Sequence, residues 1–278
     1  MFTNTNLCHL RAVGLALAAA GWLCWTPFPL AAQTGLGLRP MRIELNLGEG
    51  AVHSDALTLS NESPRPVRVR AELLDFNLDD NGTPQFERVL PSEARYTCRQ
   101  WLSLNPREVE VAPGASIDVR YTLRVPLDAA QGSFNCAAGF TTLPLAGEAT
   151  GMGIRTAVRM IAAFYVIVGQ PGIEAEVAGL TLEPLPSGGK WRSVLLVRNW
   201  STRYLRPSGE LALLDSQGRP LEVREIPSLP VLPNRLQRIL LPLEAAPEPG
   251  GVLRARVDLG LPEIYEVVFK IPPPEHTP

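Results

Sequence analysis

The sequence predicts an all-β protein: two tandem immunoglobulin-like β-sandwich domains behind a cleaved signal peptide. Three observations carry this. Turn residues recur about every ten positions, the segments between them alternate apolar and polar with no sustained helical period, and the turn grammar of the first half returns in the second. With 278 residues the chain has room for two domains, each able to bury a core. The expected boundaries are 36–170 for the first sandwich and 173–272 for the second, with 273–278 as a tail without structure of its own. A formal charge of -2 gives no global attraction to nucleic acid or to an anionic membrane.

His9 and Arg11 precede an apolar run from Ala12 to Cys24, and Ala31-Ala32-Gln33 follows. A basic start, a short greasy core and small residues at the end predict a secretory signal over residues 1–32, cut after Ala32. The apolar run falls short of the about 20 residues a membrane span needs, so no span is expected in the mature chain. Removal leaves Cys98 and Cys136. An even pair in an exported chain favours a disulfide, with two buried free thiols as the alternative.

The elements follow in order. Arg39 to Leu47 alternates and starts at a proline, as an edge strand would. Ala56 to Ser60 is a second strand stopped by Asn61-Glu-Ser-Pro64, and Val67 to Phe76 a third. Asp79-Asp-Asn-Gly-Thr-Pro84 is a reversal built on an Asn-Gly pair. Further strands are expected over Tyr96–Leu104, Val109–Val111, Ile117–Val125 and Ser133–Thr142. One long strand then runs from Ile154 to Val168, rich in β-branched and aromatic residues. At about 3.3 Å per residue it is longer than one sandwich face can use, and its surplus needs a cover. Its even positions are apolar throughout, whereas Arg155 and Arg159 stand on the odd side.

In the second half, Val194-Leu-Leu-Val-Arg-Asn199 echoes Leu57-Thr-Leu-Ser-Asn61. Likewise Leu213-Leu-Asp-Ser-Gln-Gly-Arg-Pro220 echoes Asn77-Leu-Asp-Asp-Asn-Gly-Thr-Pro84, and Val231-Leu-Pro-Asn echoes Val111-Ala-Pro-Gly. A duplicated sandwich accounts for the echoes; convergent turn chemistry is the competing reading.

Catalytic chemistry finds little support. His53 stands beside a turn and His276 in the tail, no Gly-x-Ser-x-Gly elbow exists, and no ligand spacing suits zinc. Asn77 to Gly82 has oxygen side chains at alternate positions, as a calcium loop has, but Arg88 stands where the closing Glu should be; a hairpin tip fits better. Asn61-Glu-Ser63 and Asn199-Trp-Ser201 match the glycosylation sequon and also ordinary turn chemistry. The expectation is no enzyme, no metal and no cofactor.

The export signal, two successive sandwiches, Asn61 ending a strand, the Pro113-Gly114 turn and a long strand carrying Phe164-Tyr165 together resemble the periplasmic pilus (fimbrial) chaperones of the PapD type. The resemblance covers most of the mature chain and is strongest from Arg39 to Val168. It implies a periplasmic protein that assists secreted or pilin-like subunits by β-strand donation, with an outer-membrane usher as a further partner and self-pairing into a homodimer as another use of the strand. On that reading Val158, Met160, Ala162 and Phe164 are the donated side chains. The family also anchors the subunit's C-terminal carboxylate with an Arg on the first strand and a Lys on the long one. Arg42 fits the first. Aligning Phe164-Tyr165 puts the lysine position on Ala162, and Arg159 is the nearest basic residue. The alternative from another class is a non-catalytic cell-surface module, structural or adhesive, whose long strand is wholly self-paired.

Overall fold

The computed structural model describes residues 35–88, 95–143, 157–185 and 189–273. The expected signal over 1–32, residues 154–156 of the long strand and the tail from 274 lie outside them.

Two sandwiches follow one another, as expected. In the first, Leu36–Arg39 (β1), Val52–Asn61 (β3), Ser116–Arg124 (β8) and Leu102–Asn105 (β6) form one sheet in the order β1-β3-β8-β6. The facing sheet runs β2-β10-β9-β4-β5, from Arg42–Leu47, Arg159–Val168, Gly132–Leu143, Val67–Leu78 and Pro84–Glu87, with β7 (Glu108–Val111) beside β4. Its core holds Leu57, Leu59, Val119, Leu123, Phe140 and Phe164, all buried. Alternation puts one face of each strand inside, which is why the period-two pattern was readable.

The second sandwich stacks Ala175–Pro184 (β11), Trp191–Asn199 (β12) and Arg235–Leu243 (β15) on a four-stranded sheet. That sheet has the order β14-β13-β16-β17, from Pro220–Glu225, Ser208–Leu214, Val252–Asp258 and Ile264–Lys270. Leu195, Leu211, Leu213, Ile239 and Leu253 centre its core.

The echoed motifs fold into matching networks. Asn61 Nδ2 donates to the carbonyls of Arg65 (2.7 Å) and Val111 (2.9 Å), while its Oδ1 accepts from the Ser63 N–H and hydroxyl. Asn199 Nδ2 donates to Arg203 (2.8 Å) and Val231 (3.0 Å), and its Oδ1 accepts from the Ser201 N–H and hydroxyl. Both side chains are thus buried and spent on backbone carbonyls, as the turn reading of the two sequons expects. Asp79 Oδ1 likewise accepts from the N–H groups of Asn81 and Thr83, and Asp215 Oδ1 from those of Gln217 and Arg219. The Asp79 loop is a hairpin tip stabilised by its own backbone.

Three expectations need correction. The first strand does not run unbroken from Arg39 to Leu47. Pro40 has no N–H for a ladder, and there the chain leaves β1, which pairs β3, to become β2, which pairs β10 in the other sheet. Tyr96–Leu104 is a strand only from Leu102. Before that, Arg99 N–H donates to Thr97 Oγ1 (3.0 Å) and Trp101 N–H to the Cys98 carbonyl (2.9 Å). The segment turns because it is pinned to β9: Cys98 is bonded to Cys136, and the Trp101 ring lies 4.4 Å from that of Phe134. Finally, the long strand starts at Arg159. Ala157 and Val158 precede it without strand pairing, although Thr142 N–H still donates to the Val158 carbonyl (3.0 Å).

Both sandwiches belong to one compact unit, and a third apolar cluster joins them. Leu74, Phe76, Ala137, Tyr165 and Ile167 of the first sandwich pack there with Tyr204 and Leu232 of the second.

Candidate functional site

The site begins with a strand whose two edges are used unequally. β10 pairs antiparallel with β9 along its whole length, Arg159 opposite Thr141 to Val168 opposite Gly132. With β2 it pairs in parallel only from Ala163, opposite Arg42, to Val168, opposite Leu47. Among the described residues, no strand lies on the outer edge of Arg159–Ala162. The sheet change at Pro40-Met41 is the cause, since it takes the neighbouring chain away where the edge opens.

Parity decides which groups are free. Ala163 N–H donates outward to the Met41 carbonyl (2.9 Å), so two residues earlier Ile161, and then Arg159, turn their backbone groups to the same side. Met160 and Ala162 turn theirs to β9. The side chains divide likewise. Ala162 and Phe164 are completely buried in the first core, Phe164 edge-on to Tyr121 at 5.0 Å, and Met160 packs partly buried against the same core. Of the even-face side chains that the resemblance implied would be lent to a partner, Ala162 and Phe164 lie in the chain's own core, Met160 is only partly buried against it, and Val158 stands half-buried before the strand. The odd face carries Arg159, exposed, and Ile161 and Ala163, half-buried against the cluster between the sandwiches.

Arg159 is engaged within the chain's own sheet. Its guanidinium crosses Gly139 on β9 and meets Glu72 on β4 at 2.6 Å. A Cβ on Gly139 would lie 3.3 Å from both Arg159 Nε and Glu72 Cγ and only 2.7 Å from Leu74 Cδ1, so glycine opens that passage. Ala162 is completely buried, so a longer side chain there would have to displace its core neighbours.

Arg42 stands where the open edge ends, its side chain 62% exposed and its Nε 3.5 Å from Glu44 Oε1. The same Glu44 oxygen lies 2.8 Å from Nε of Arg206, in the second sandwich. Arg206, Glu44 and Tyr204 were not legible as site residues before folding, because only the fold brings position 206 beside 42 and 44. The Arg206 guanidinium sits 4.8 Å from the Tyr165 ring centre and 5.8 Å from that of Tyr204, and its Nη1 donates to the Ser228 carbonyl (2.8 Å). Burial pushes the Tyr165 hydroxyl above its ordinary range and that of Tyr204 up to about 12, against the opposing pull of Arg206. Both phenols therefore stay neutral, and the charged groups here are two guanidiniums and one carboxylate. Met41, exposed, flanks the same corner.

No family model matches the chain, and no curated protein does. Solved structures that it is similar to include the class 5 fimbriae chaperone CfaA, at 9% identity and a TM-score of 0.43, covering 86% of this chain and 99% of that one. The CupB2 chaperone of Pseudomonas aeruginosa is 15% identical, with a TM-score of 0.42 over 84% of this chain and 99% of the other. A PapD-like domain of human CEP192 is 12% identical, with a TM-score of 0.34 over 59% of this chain and 99% of that domain. At these identities the likeness carries no residue role to this chain.

Proposed function

We propose that this chain is an exported, non-catalytic chaperone that captures an extended segment of a secreted or pilus-type subunit on the open edge of β10, in the periplasm, as a divergent relative of the PapD-type proteins. The observation that carries the reading is the unequal pairing of β10: ten residues on β9, but only Ala163–Val168 on β2. An unpaired edge beside an exposed Met41 and half-buried Ile161 and Ala163 is an aggregation hazard unless a partner strand covers it.

The backbone groups of Arg159 and Ile161 supply the ladder, and the odd-face side chains together with the exposed flank of Met160 supply the apolar contact. Val158 and the buried Ala162 and Phe164 act through the shape of the strand they hold. Arg42 fixes polarity. A bound segment running parallel to β10 ends toward Met41 and Arg42, where a terminal carboxylate meets the guanidinium; an antiparallel one brings its cationic amino end there. Charge therefore favours the parallel arrangement with a carboxylate end.

Residue-resolved amide exchange on the mature protein tests the reading. Arg159 and Ile161 should exchange fast, and Met160 and Ala162 slowly. Equal protection of all four in a protein that sediments as a monomer would mean a self-contained module and would sink strand capture. The same protection in a dimer would place a second copy on the edge.

A further inference from the structure

We infer that Arg206 is a positioning residue: by holding the Glu44 carboxylate, it leaves the charge of Arg42 available to an anionic group arriving at the end of the open edge. The inference rests on the binding reading above and adds a residue to it. Glu44 Oε1 lies 2.8 Å from Arg206 Nε and 3.5 Å from Arg42 Nε. The nearer guanidinium is also the drier one, its side chain 16% exposed against 62% for Arg42, so its attraction for Glu44 is less screened.

Arg206 is held from three directions, by the Ser228 carbonyl and by the rings of Tyr165 and Tyr204. Its hold on Glu44 is an ion pair at 2.8 Å, and the two tyrosines, through their rings and hydroxyls, carry the rest. Arg42 has no comparable tether: Glu44 is its one ion-pair partner among the described residues. With the tyrosines neutral, two cations share one anion. The surplus charge resides on the guanidinium that water and a ligand can reach, and that is Arg42.

Without Arg206, Glu44 would keep the Tyr204 hydroxyl but have Arg42 as its remaining cation, and would offset more of its charge. Contact residues and charge balance are thus separate: Arg42 touches the ligand, and Arg206 acts through Glu44.

The test uses sodium acetate as the carboxylate probe, with acetamide as the neutral control, at ionic strength held constant with sodium chloride. The readout is the shift of the Arg42 Nε–Hε resonance in the 15N-labelled mature protein. The wild type should show a saturable shift with acetate and none with acetamide. Arg206→Gln should weaken the apparent affinity about fivefold, the scale of one partly exposed ion pair. Arg206→Gln with Glu44→Gln should restore it to within about twofold of the wild type, a rescue that a merely structural role would not give. Glu44→Gln alone, with Arg206 in place, should tighten binding about two- to fivefold, and it answers the question even if the Arg206 variant fails to fold. Unchanged affinity in Arg206→Gln, no rescue in the double variant, or no tightening in Glu44→Gln overturns the inference. The exchange experiment fails or succeeds separately: an open edge with no acetate effect removes the carboxylate role of Arg42, and that of Arg206 with it, but leaves strand capture standing, and an acetate effect beside a protected edge removes only strand capture.

Discussion

Asn61 and Asn199 each tie a strand end to two other segments through one side-chain amide, and each sits fully inside. Replacing either with Ala leaves a buried carbonyl, that of Val111 or Val231, without this donor, at roughly 1–3 kcal/mol for each buried group left unsatisfied. Asn199→Ala should therefore lower the urea midpoint by the equivalent of about 2–4 kcal/mol, and Asn61→Ala by a similar amount. A change within the error of a surface substitution would show that the network is incidental. Asp79 and Asp215 make a pH prediction. The Thr83 N–H is the main influence holding Asp79 below its ordinary 3.8, and the Arg219 N–H does the same for Asp215. A folded-state value lower than the unfolded one gives stability that is complete above the unfolded value and is lost as pH falls through the folded one. Hence Asp79→Asn with Asp215→Asn should flatten the fall of the melting temperature below about pH 3.8 and leave its slope above pH 5 unchanged. These residues were legible in the sequence as turn signals, because Asn and Asp satisfy neighbouring backbone groups wherever they stand. Glu44 and Arg206 were not, because their meaning comes from a contact between sandwiches.

For β10, the sequence located the strand by its composition and its end at Gly169, but it overstated the length. The apolar pattern continues upstream through Ile154, whereas strand pairing starts at Arg159. Periodicity also could not say which face was inside: with Ile161, Ala163, Tyr165 and Ile167 on one side and Ala162, Phe164 and Val166 on the other, both faces read as apolar. The structure resolves this by giving β10 two apolar surroundings, the first core and the cluster between the sandwiches. A proline pair tests the edge directly. Ile161→Pro removes an N–H that faces outward and trims a half-buried side chain, so it should cost about 1–2 kcal/mol. Met160→Pro removes an N–H that faces β9 and should cost about 3 kcal/mol or more. Thermal unfolding of the two variants gives the comparison. Equal losses would mean that Ile161 already has a ladder partner and that the edge is closed.

At the scale of the molecule, what matters is whether the two sandwiches move as one. Contacts between domains of one chain are ordinarily small and polar, and independent motion is the default. Here the tip of the β4–β5 hairpin is fastened to β15: Arg238 N–H donates to the Asp80 carbonyl (2.9 Å), and Gln237 Nε2 to the carbonyls of Asp79 (3.2 Å) and Asp80 (2.9 Å). Elsewhere Ser133 N–H donates to the Thr202 carbonyl (2.8 Å), and Ser133 Oγ accepts from the Tyr204 N–H (2.8 Å). Leu232 closes the apolar cluster between them. Gln237 is buried, so its amide cannot exchange these partners for water at no cost. The brace also occupies part of the outer edge of β15, and Pro242 stands further along that strand without an N–H to offer, so this edge is guarded, whereas among the described residues nothing pairs with the edge of β10 at Arg159–Ala162. Arg42 and Arg206, on different sandwiches, stay matched through Glu44 only while the sandwiches hold their angle. The intact protein should therefore unfold in a single calorimetric transition. Gln237→Ala with Leu232→Ala removes the buried amide and the apolar plug together, and should split that transition into two while each sandwich keeps its own core. If the double variant still melts in one step, the coupling runs through Ser133 and Tyr204 instead, and the hairpin tip is a passive contact.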